Sequence, residues 1–212
     1  METKISFWTL MDEGGPIMWI LLGASVLALA FAVERFIALA VARRRDQRLA
    51  AALERRQATA GGPADWLSLC RKAKGPLARI LSSVLETGDV DPSELRSALE
   101  GSAYLEIGRL RRGLPVLATT ANLAPLLGFF GTVTGMMVSF DAIAGHGLQN
   151  PALVAVGIKE ALTTTAGGLA VAIPAQLAFN LLLAQIEAIA NRIESVGEIL
   201  LRRLALEGVK AR

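Results

Sequence analysis

Residues 114–140 read LPVLATTANLAPLLGFFGTVTGMMVSF, and residues 159–180 read KEALTTTAGGLAVAIPAQLAFN. From Leu114 to Ile158 the sole charged side chain is Asp141, and from Ala161 to Ile186 there is none. A helix crosses the hydrocarbon layer, about 30 Å thick, with about 20 apolar residues, so each run is long enough to span it. A third such run begins at Pro16. Together they set the fold class as an all-α integral membrane protein with three transmembrane helices. The composition agrees, with 53% hydrophobic and 19% charged residues over the 212, where a soluble domain carries about 25% charged.

That composition excludes a soluble enzyme, a secreted disulfide scaffold and a disordered tail. The single cysteine, Cys70, can form no intrachain disulfide, and the single histidine, His146, lies too far along the chain to share a metal with it. There is no glycine-rich phosphate loop, zinc-ligand spacing or nucleophile elbow, so no enzymatic activity and no cofactor are expected. The 22 Lys and Arg outnumber the 19 Asp and Glu. They cluster beside the apolar runs, which points to a bilayer rather than to nucleic acid.

The charged flanks predict the topology. Arg43, Arg44, Arg45 and Arg48 follow the first run, while Lys4 stands against Glu2, Asp12 and Glu13 before it. A signal peptide has its positive charge before the apolar run, so this one is read as an anchor with its N-terminus outside. Residues 43–113 hold fourteen Lys and Arg and read as cytoplasmic. The expected order is a periplasmic N-terminus (1–15), a first span (16–42), a cytoplasmic helical segment (43–113) and a second span (114–140). A short periplasmic loop (141–158), a third span (159–186) and a cytoplasmic C-terminal helix (187–212) follow.

Two of the helices should be long. Asp91-Pro92-Ser93-Glu94 is a helix start in which Asp91 can cap, Pro92 suits the first turn and Glu94 stands at the third position. From there Leu95, Leu99, Ala103, Ile107, Leu110 and Leu114 recur at steps of three and four, predicting one helix that continues into the second span. The third span continues likewise through Ile186, Ile189, Ile193, Val196 and Leu200. Two helices each about 70 Å long should extend well into the cytoplasm and pack there as an antiparallel pair. Shorter helices are expected from Asp46 to Gly88, broken at Gly61-Gly62-Pro63 and at Gly75-Pro76.

The polar residues inside the second and third spans carry the functional information. Gly128, Gly131 and Gly135 fall on one helical face, and Gly167 and Gly168 serve the third span in the same way; small residues let membrane helices approach closely. Thr132 lies eight residues before the outer end of the second span, and Thr165 six residues beyond Lys159. At 1.5 Å per residue these are depths of about 12 and about 9 Å, so in antiparallel helices the two hydroxyls reach similar levels. A lone membrane threonine ordinarily bonds its own backbone; two at matched depth can instead form a polar girdle, which an oligomer repeats around an axis. Glu160, at the outer mouth, is either a solvated carboxylate at a helix start or an acid near a proton entry path. Neither span carries Asp, Glu, His, Lys or Arg in its apolar interior. Threonine does not titrate, so if protons pass, a partner must bring the ionisable group or water must carry them.

The GTVTGM core of the second span and the EALTTTAGGLAVAIPA of the third, followed by an asparagine, resemble the MotA/TolQ/ExbB proton-channel family. The resemblance covers essentially the whole chain, and three spans favour the ExbB/TolQ branch over the flagellar stator. It implies a ring-shaped homo-oligomer, a pentamer, in the bacterial inner membrane, with the second and third spans lining an apolar pore. That pore would enclose the single-span helices of an ExbD- or TolR-like dimer, whose membrane aspartate carries the proton. Thr132, Thr165 and Glu160 map onto the family's proton-pathway positions. Work would pass to a TonB- or TolA-like protein for outer-membrane transport or envelope maintenance. A structural scaffold that assembles envelope partners without conducting ions is the competing reading. A small-molecule transporter lacks an internal repeat and an ionisable substrate site. The residues do not separate ExbB-like from TolQ-like roles, and proton rather than sodium coupling rests on the resemblance.

Overall fold

A computed structural model describes residues 7–58, 63–87, 91–146 and 151–210. Its elements are all helices: α1 (Phe7–Glu13), α2 (Gly15–Ala58), α3 (Pro63–Lys72), α4 (Pro76–Glu86), α5 (Pro92–Leu110), α6 (Leu114–His146) and α7 (Pro151–Lys210). Three of them, α2, α6 and α7, are long and apolar enough to cross a membrane. At 1.5 Å per residue, α2 with its 44 residues and α7 with its 60 exceed a bilayer core by at least about twofold. Each therefore has a part outside the bilayer.

The structure departs from the sequence expectations in four places. The helix that starts at Pro92 does not run on into the second span: it ends at Leu110, and Gly113 takes a left-handed backbone with φ 81° before α6 begins. The cause is written in Gly113-Leu114-Pro115, a glycine suited to a helix C-terminus and a proline suited to the next first turn. The Asp91 carboxylate does not cap a first-turn N–H; it accepts from Ser93 Oγ at 2.7 Å. Residues 141–146 and 151–158, expected in a loop, are helical, and Pro151 opens α7. Finally, α1 is a separate helix that turns into α2 at Gly14 and Gly15. Of the two expected breaks, Gly75-Pro76 does separate α3 from α4, while Gly61 and Gly62 lie outside the described residues.

The chain divides into two compact units, residues 1–34 with 113–181, and residues 35–112 with 182–212. In the first, α6 and α7 run antiparallel: Gly135 faces Gly157 and Ala161, Gly128 faces Thr164 and Thr165, and Gly168 faces Ala124. The buried positions among the described residues of α6 are Leu114, Leu117, Thr120, Ala121, Ala124, Gly128, Gly131, Gly135 and Ser139, and all but Thr120 fall on a seam at three- and four-residue steps. Met11, Met18 and Leu21 close an apolar cluster with Ala124 and Ala172.

In the second unit, α4 buries Leu77, Ile80, Leu81 and Val84. Trp66 and Cys70 on α3, Leu95 and Leu99 on α5, and Ile186, Ile189 and Ile193 on α7 are buried as well. Leu99 fills the space above Gly197, which pairs α5 with the last part of α7. Glu106 is buried and accepts from Arg79 Nε at 2.9 Å and from Arg109 Nη1, so its charge is matched on two sides. Arg203 stacks over Trp66 with 5.5 Å to the ring centroid.

Candidate functional site along the second and third spans

The seam between α6 and α7 is built from residues that bring backbones together. A methyl group placed on Gly128 would stand 3.0 Å from Thr164 O, and one on Gly168 2.5 Å from Ala124 O. On Gly135 it would stand 2.6 Å from Gly157 O. Backbone cannot yield as a side chain does, so glycine is what permits this approach. Gly128, Gly131, Gly135 and Gly168 all stand at such close approaches of α6 and α7. Gly167 differs: it turns to Met18, whose Sδ lies 2.6 Å from where its Cβ would be. It seats α2, not α6.

Three successive threonines point three ways, because each step along a helix turns by about 100°. Thr163 lines an apolar groove of about 520 Å³ with Leu10, Met18, Leu21 and Leu162. Thr164 is fully buried against Gly131, and its hydroxyl donates to Glu160 O and Ala161 O, both at 3.0 Å. Thr165 is half-buried, and its hydroxyl reaches across the seam to Gly128 O at 3.3 Å while also meeting its own helix at Ala161 O, 3.2 Å away. On α6, Thr132 follows Gly131, the residue that meets Thr164. Its hydroxyl donates to Phe129 O at 2.6 Å, one turn back on its own helix. Within one chain, then, Thr165 links the two spans and Thr132 does not.

Glu160 stands apart from the seam. It is half-buried, and one carboxylate oxygen, Oε1, lies 2.7 Å from where a Cβ on Gly15 would be, at the start of α2. Its neighbour Lys159 bonds Glu13 Oε1 at 2.6 Å. Sequence reasoning missed Thr164, Gly157 and Ser139, whose hydroxyl bonds Gly135 O at 3.2 Å and crosses to Val154 O at 3.0 Å. Their signal was present as the three-and-four spacing of small residues, which continues beyond the span ends that hydropathy draws. Among the described residues no group of three or more His, Cys, Asp or Glu is placed to hold a metal ion.

A model of the MotA/TolQ/ExbB proton channel family matches residues 72–195, more than half of the chain and the whole of this seam. The chain belongs to that family. An ExbB-like protein of Synechocystis sp. is 34% identical over 169 residues, 79% of this chain and 80% of that protein. An ExbB homolog of Methanothermobacter thermautotrophicus is 32% identical over 153 residues, 70% of this chain and 54% of its own length. The Tol-Pal system protein TolQ of Haemophilus influenzae is 46% identical over 84 residues, 40% of this chain and 37% of its own length. The chain thus spans about half the length of the Methanothermobacter relative and less of the Haemophilus one. Similarity to ExbB and TolQ proteins together places it in that branch of the family. Family membership and three apolar helices make it a multi-pass membrane protein.

Proposed function

We propose that the chain is the inner-membrane channel subunit of a proton-driven machine of the ExbB/TolQ type, with its N-terminus periplasmic and its C-terminus cytoplasmic. Five copies ring an apolar pore, and the second and third spans line it. Two single-span ExbD- or TolR-like subunits stand inside and bring a membrane aspartate. The coupled motion passes to a TonB- or TolA-like protein and serves outer-membrane transport or envelope maintenance. The chain acts as a channel and not as an enzyme.

One observation carries this reading. Two membrane spans present half-exposed hydroxyls, Thr132 and Thr165, at adjoining levels of one seam, and neither span holds a titratable group in its interior. Such a surface is built to serve a carboxylate that it lacks. A carboxyl in an apolar pore has a raised pKa and stays neutral, while a hydroxyl donor stabilises its ionised form. Moving past successive threonines, the partner's aspartate exchanges its proton at set positions. A proton crossing 100 mV releases about 2.3 kcal/mol, comparable to one or two hydrogen bonds at about 1 kcal/mol each. In the single chain α6 also leaves Phe129, Phe130, Val133 and Met137 exposed, apolar surface for lipid, neighbouring copies and the enclosed helices to cover.

The Phe129 bond of Thr132 favours the scaffold reading, since a hydroxyl satisfied by its own helix need do nothing else. Proton flux in the wild type, Thr132→Ala and Thr165→Ala decides between the two. The channel reading expects both variants to assemble with their partner and to lose proton flux in proteoliposomes by at least about tenfold. A wild-type complex that assembles but carries no proton flux leaves only the scaffold, and undiminished flux in both variants takes the two threonines off the proton path.

A further inference from the structure

The corner between α1 and α2 is made of Gly14 and Gly15, and it meets α7 at two polar points, about two and a half turns from the start of that helix. Gly15 has a left-handed backbone, φ 63°, and Glu160 Oε1 occupies the space where its side chain would be, 2.7 Å from an ideal Cβ. Glu13, two residues earlier, holds the Lys159 ammonium at 2.6 Å. The apolar side of the same corner is fixed too. Met18 fills the space above both Gly14 and Gly167, and Met11 and Met18 share a cluster with Leu21, Ala124 and Ala172. Between Asp141 and Glu187, Glu160 is the sole acidic residue of the sequence.

From this geometry we infer that the Gly14–Gly15 corner is a seat for the Glu160 carboxylate, with Gly15 and Glu13 as its positioning residues. Gly15 acts by leaving the space that the carboxylate fills. Glu13 acts by occupying Lys159, the adjacent cation, so that Glu160 is left as a free acceptor. The carboxylate lies beside the first turn of α2, where the helix dipole favours negative charge. The seat therefore holds the Glu160 side chain at a fixed point at the mouth of the third span, five residues before Thr165. α1 is then the part that closes the mouth of its own subunit around Glu160. The functional weight of this seat rests on the channel reading given above, in which Glu160 stands on the proton path; its existence does not.

The test is a double-mutant cycle on the full chain purified with its single-span partner. Gly15→Ala puts a methyl group into the carboxylate. Glu160→Asp withdraws the carboxylate by one C–C bond, about 1.5 Å, and makes room for that methyl. The seat predicts that Gly15→Ala lowers proton flux about tenfold with assembly intact. Glu160→Asp lowers flux by itself, because it moves a group on the path, and the double variant falls no further than Glu160→Asp alone. Losses that multiply in the double variant overturn the seat, because backbone strain at φ 63° would be untouched by shortening residue 160. Should Gly15→Ala fail to assemble, Gly15→Asn replaces it, since asparagine tolerates the left-handed backbone yet still collides with Glu160.

Melting temperatures of the same four proteins read the seat independently of conduction. The loss caused by Gly15→Ala should be partly restored by Glu160→Asp, and strict additivity refutes the contact. Glu160→Gln separates the two readings. Wild-type flux in that variant removes Glu160 from the proton path, while the melting temperatures still decide whether the corner holds it.

Discussion

Glycines that look alike in the sequence differ by what stands opposite them. Gly131, in the α6 seam, has Thr164 Oγ1 2.2 Å and Thr164 Cγ2 2.9 Å from where its Cβ would be, and Thr164 is β-branched and fully buried. Its χ1 has little freedom to yield. Gly101, inside α5, has nothing within 4 Å. Gly131→Ala should therefore cost about 1–3 kcal/mol by overpacking, whereas Gly101→Ala should add about 0.5–1 kcal/mol through helix propensity. Thermal unfolding of the two variants in one detergent checks this pair. A Gly131→Ala protein as stable as the wild type would mean that α6 and α7 do not approach this closely. The same reasoning explains why the threonine triplet carries three roles: Thr163 meets a groove, Thr164 a glycine, and Thr165 a carbonyl of the other helix. The sequence showed that these positions are polar within a span. Direction came from the partner helix, which periodicity along one helix does not specify.

Elements were legible where one strong signal acted alone. The three spans follow from hydropathy, and the antiparallel course of α6 and α7 follows from a connection too short to allow anything else. Where two signals competed, the louder one misled. The apolar spacing from Leu95 to Leu114 passes unbroken through Gly113, so the hydrophobic pattern reads as one helix although Gly113-Leu114-Pro115 is a stop followed by a start. Burial periodicity and backbone permission are independent, and a single left-handed residue interrupts the second without disturbing the first. Substitution at that point tests which one governs. Gly113 sits at φ 81°, so Gly113→Ala should lower stability by about 1–2 kcal/mol, and Gly113→Asn by less, because asparagine enters the left-handed region more readily. Equal stability of all three in urea unfolding would argue for an uninterrupted helix. α1 was not legible at all: its seven residues are too few for periodicity, and it is held by Met11 packing and by the glycine corner. The Glu160 contact with that corner was hidden for the same reason, being set by residues 145 positions apart.

Across the whole molecule, charge is sorted by place. The interiors of the second and third spans hold no titratable side chain, and among the described residues the groups whose protonation the fold shifts lie in the unit formed by residues 35–112 and 182–212. Burial pushes the Cys70 thiol up to about 11, consistent with a packed thiol and not a reactive one. Asp46 is more consequential. It lies on α2 beyond the apolar run that ends at Val41, is 2% exposed, and accepts from Leu77 N–H at 3.2 Å through Oδ1 at the start of α4. Its Oδ2 is buried with no hydrogen-bond partner among the described residues, beside a small cleft lined by Arg43, Ile189 and Arg192. Desolvation raises its pKa from 3.8 to about 6, against the lowering effects of the Leu77 hydrogen bond, Arg79 and Arg192, and Glu106 adds to the rise. A carboxyl whose folded pKa lies above its unfolded value binds more protons when folded. Its contribution to stability is therefore present in full below about pH 4 and lost as pH rises through about 6. The difference is on the order of 2–3 kcal/mol. Asp46→Asn removes the titration while keeping an acceptor for Leu77. Measured against that variant, the wild type should gain relative stability as pH falls from 7 to 4, with most of the change between about 6 and 4. Melting temperatures of both proteins across that range supply the measurement. A gap that stays constant, or that moves against the wild type on acidification, would show Asp46 ionised throughout, its second oxygen satisfied by one of the two arginines across the cleft.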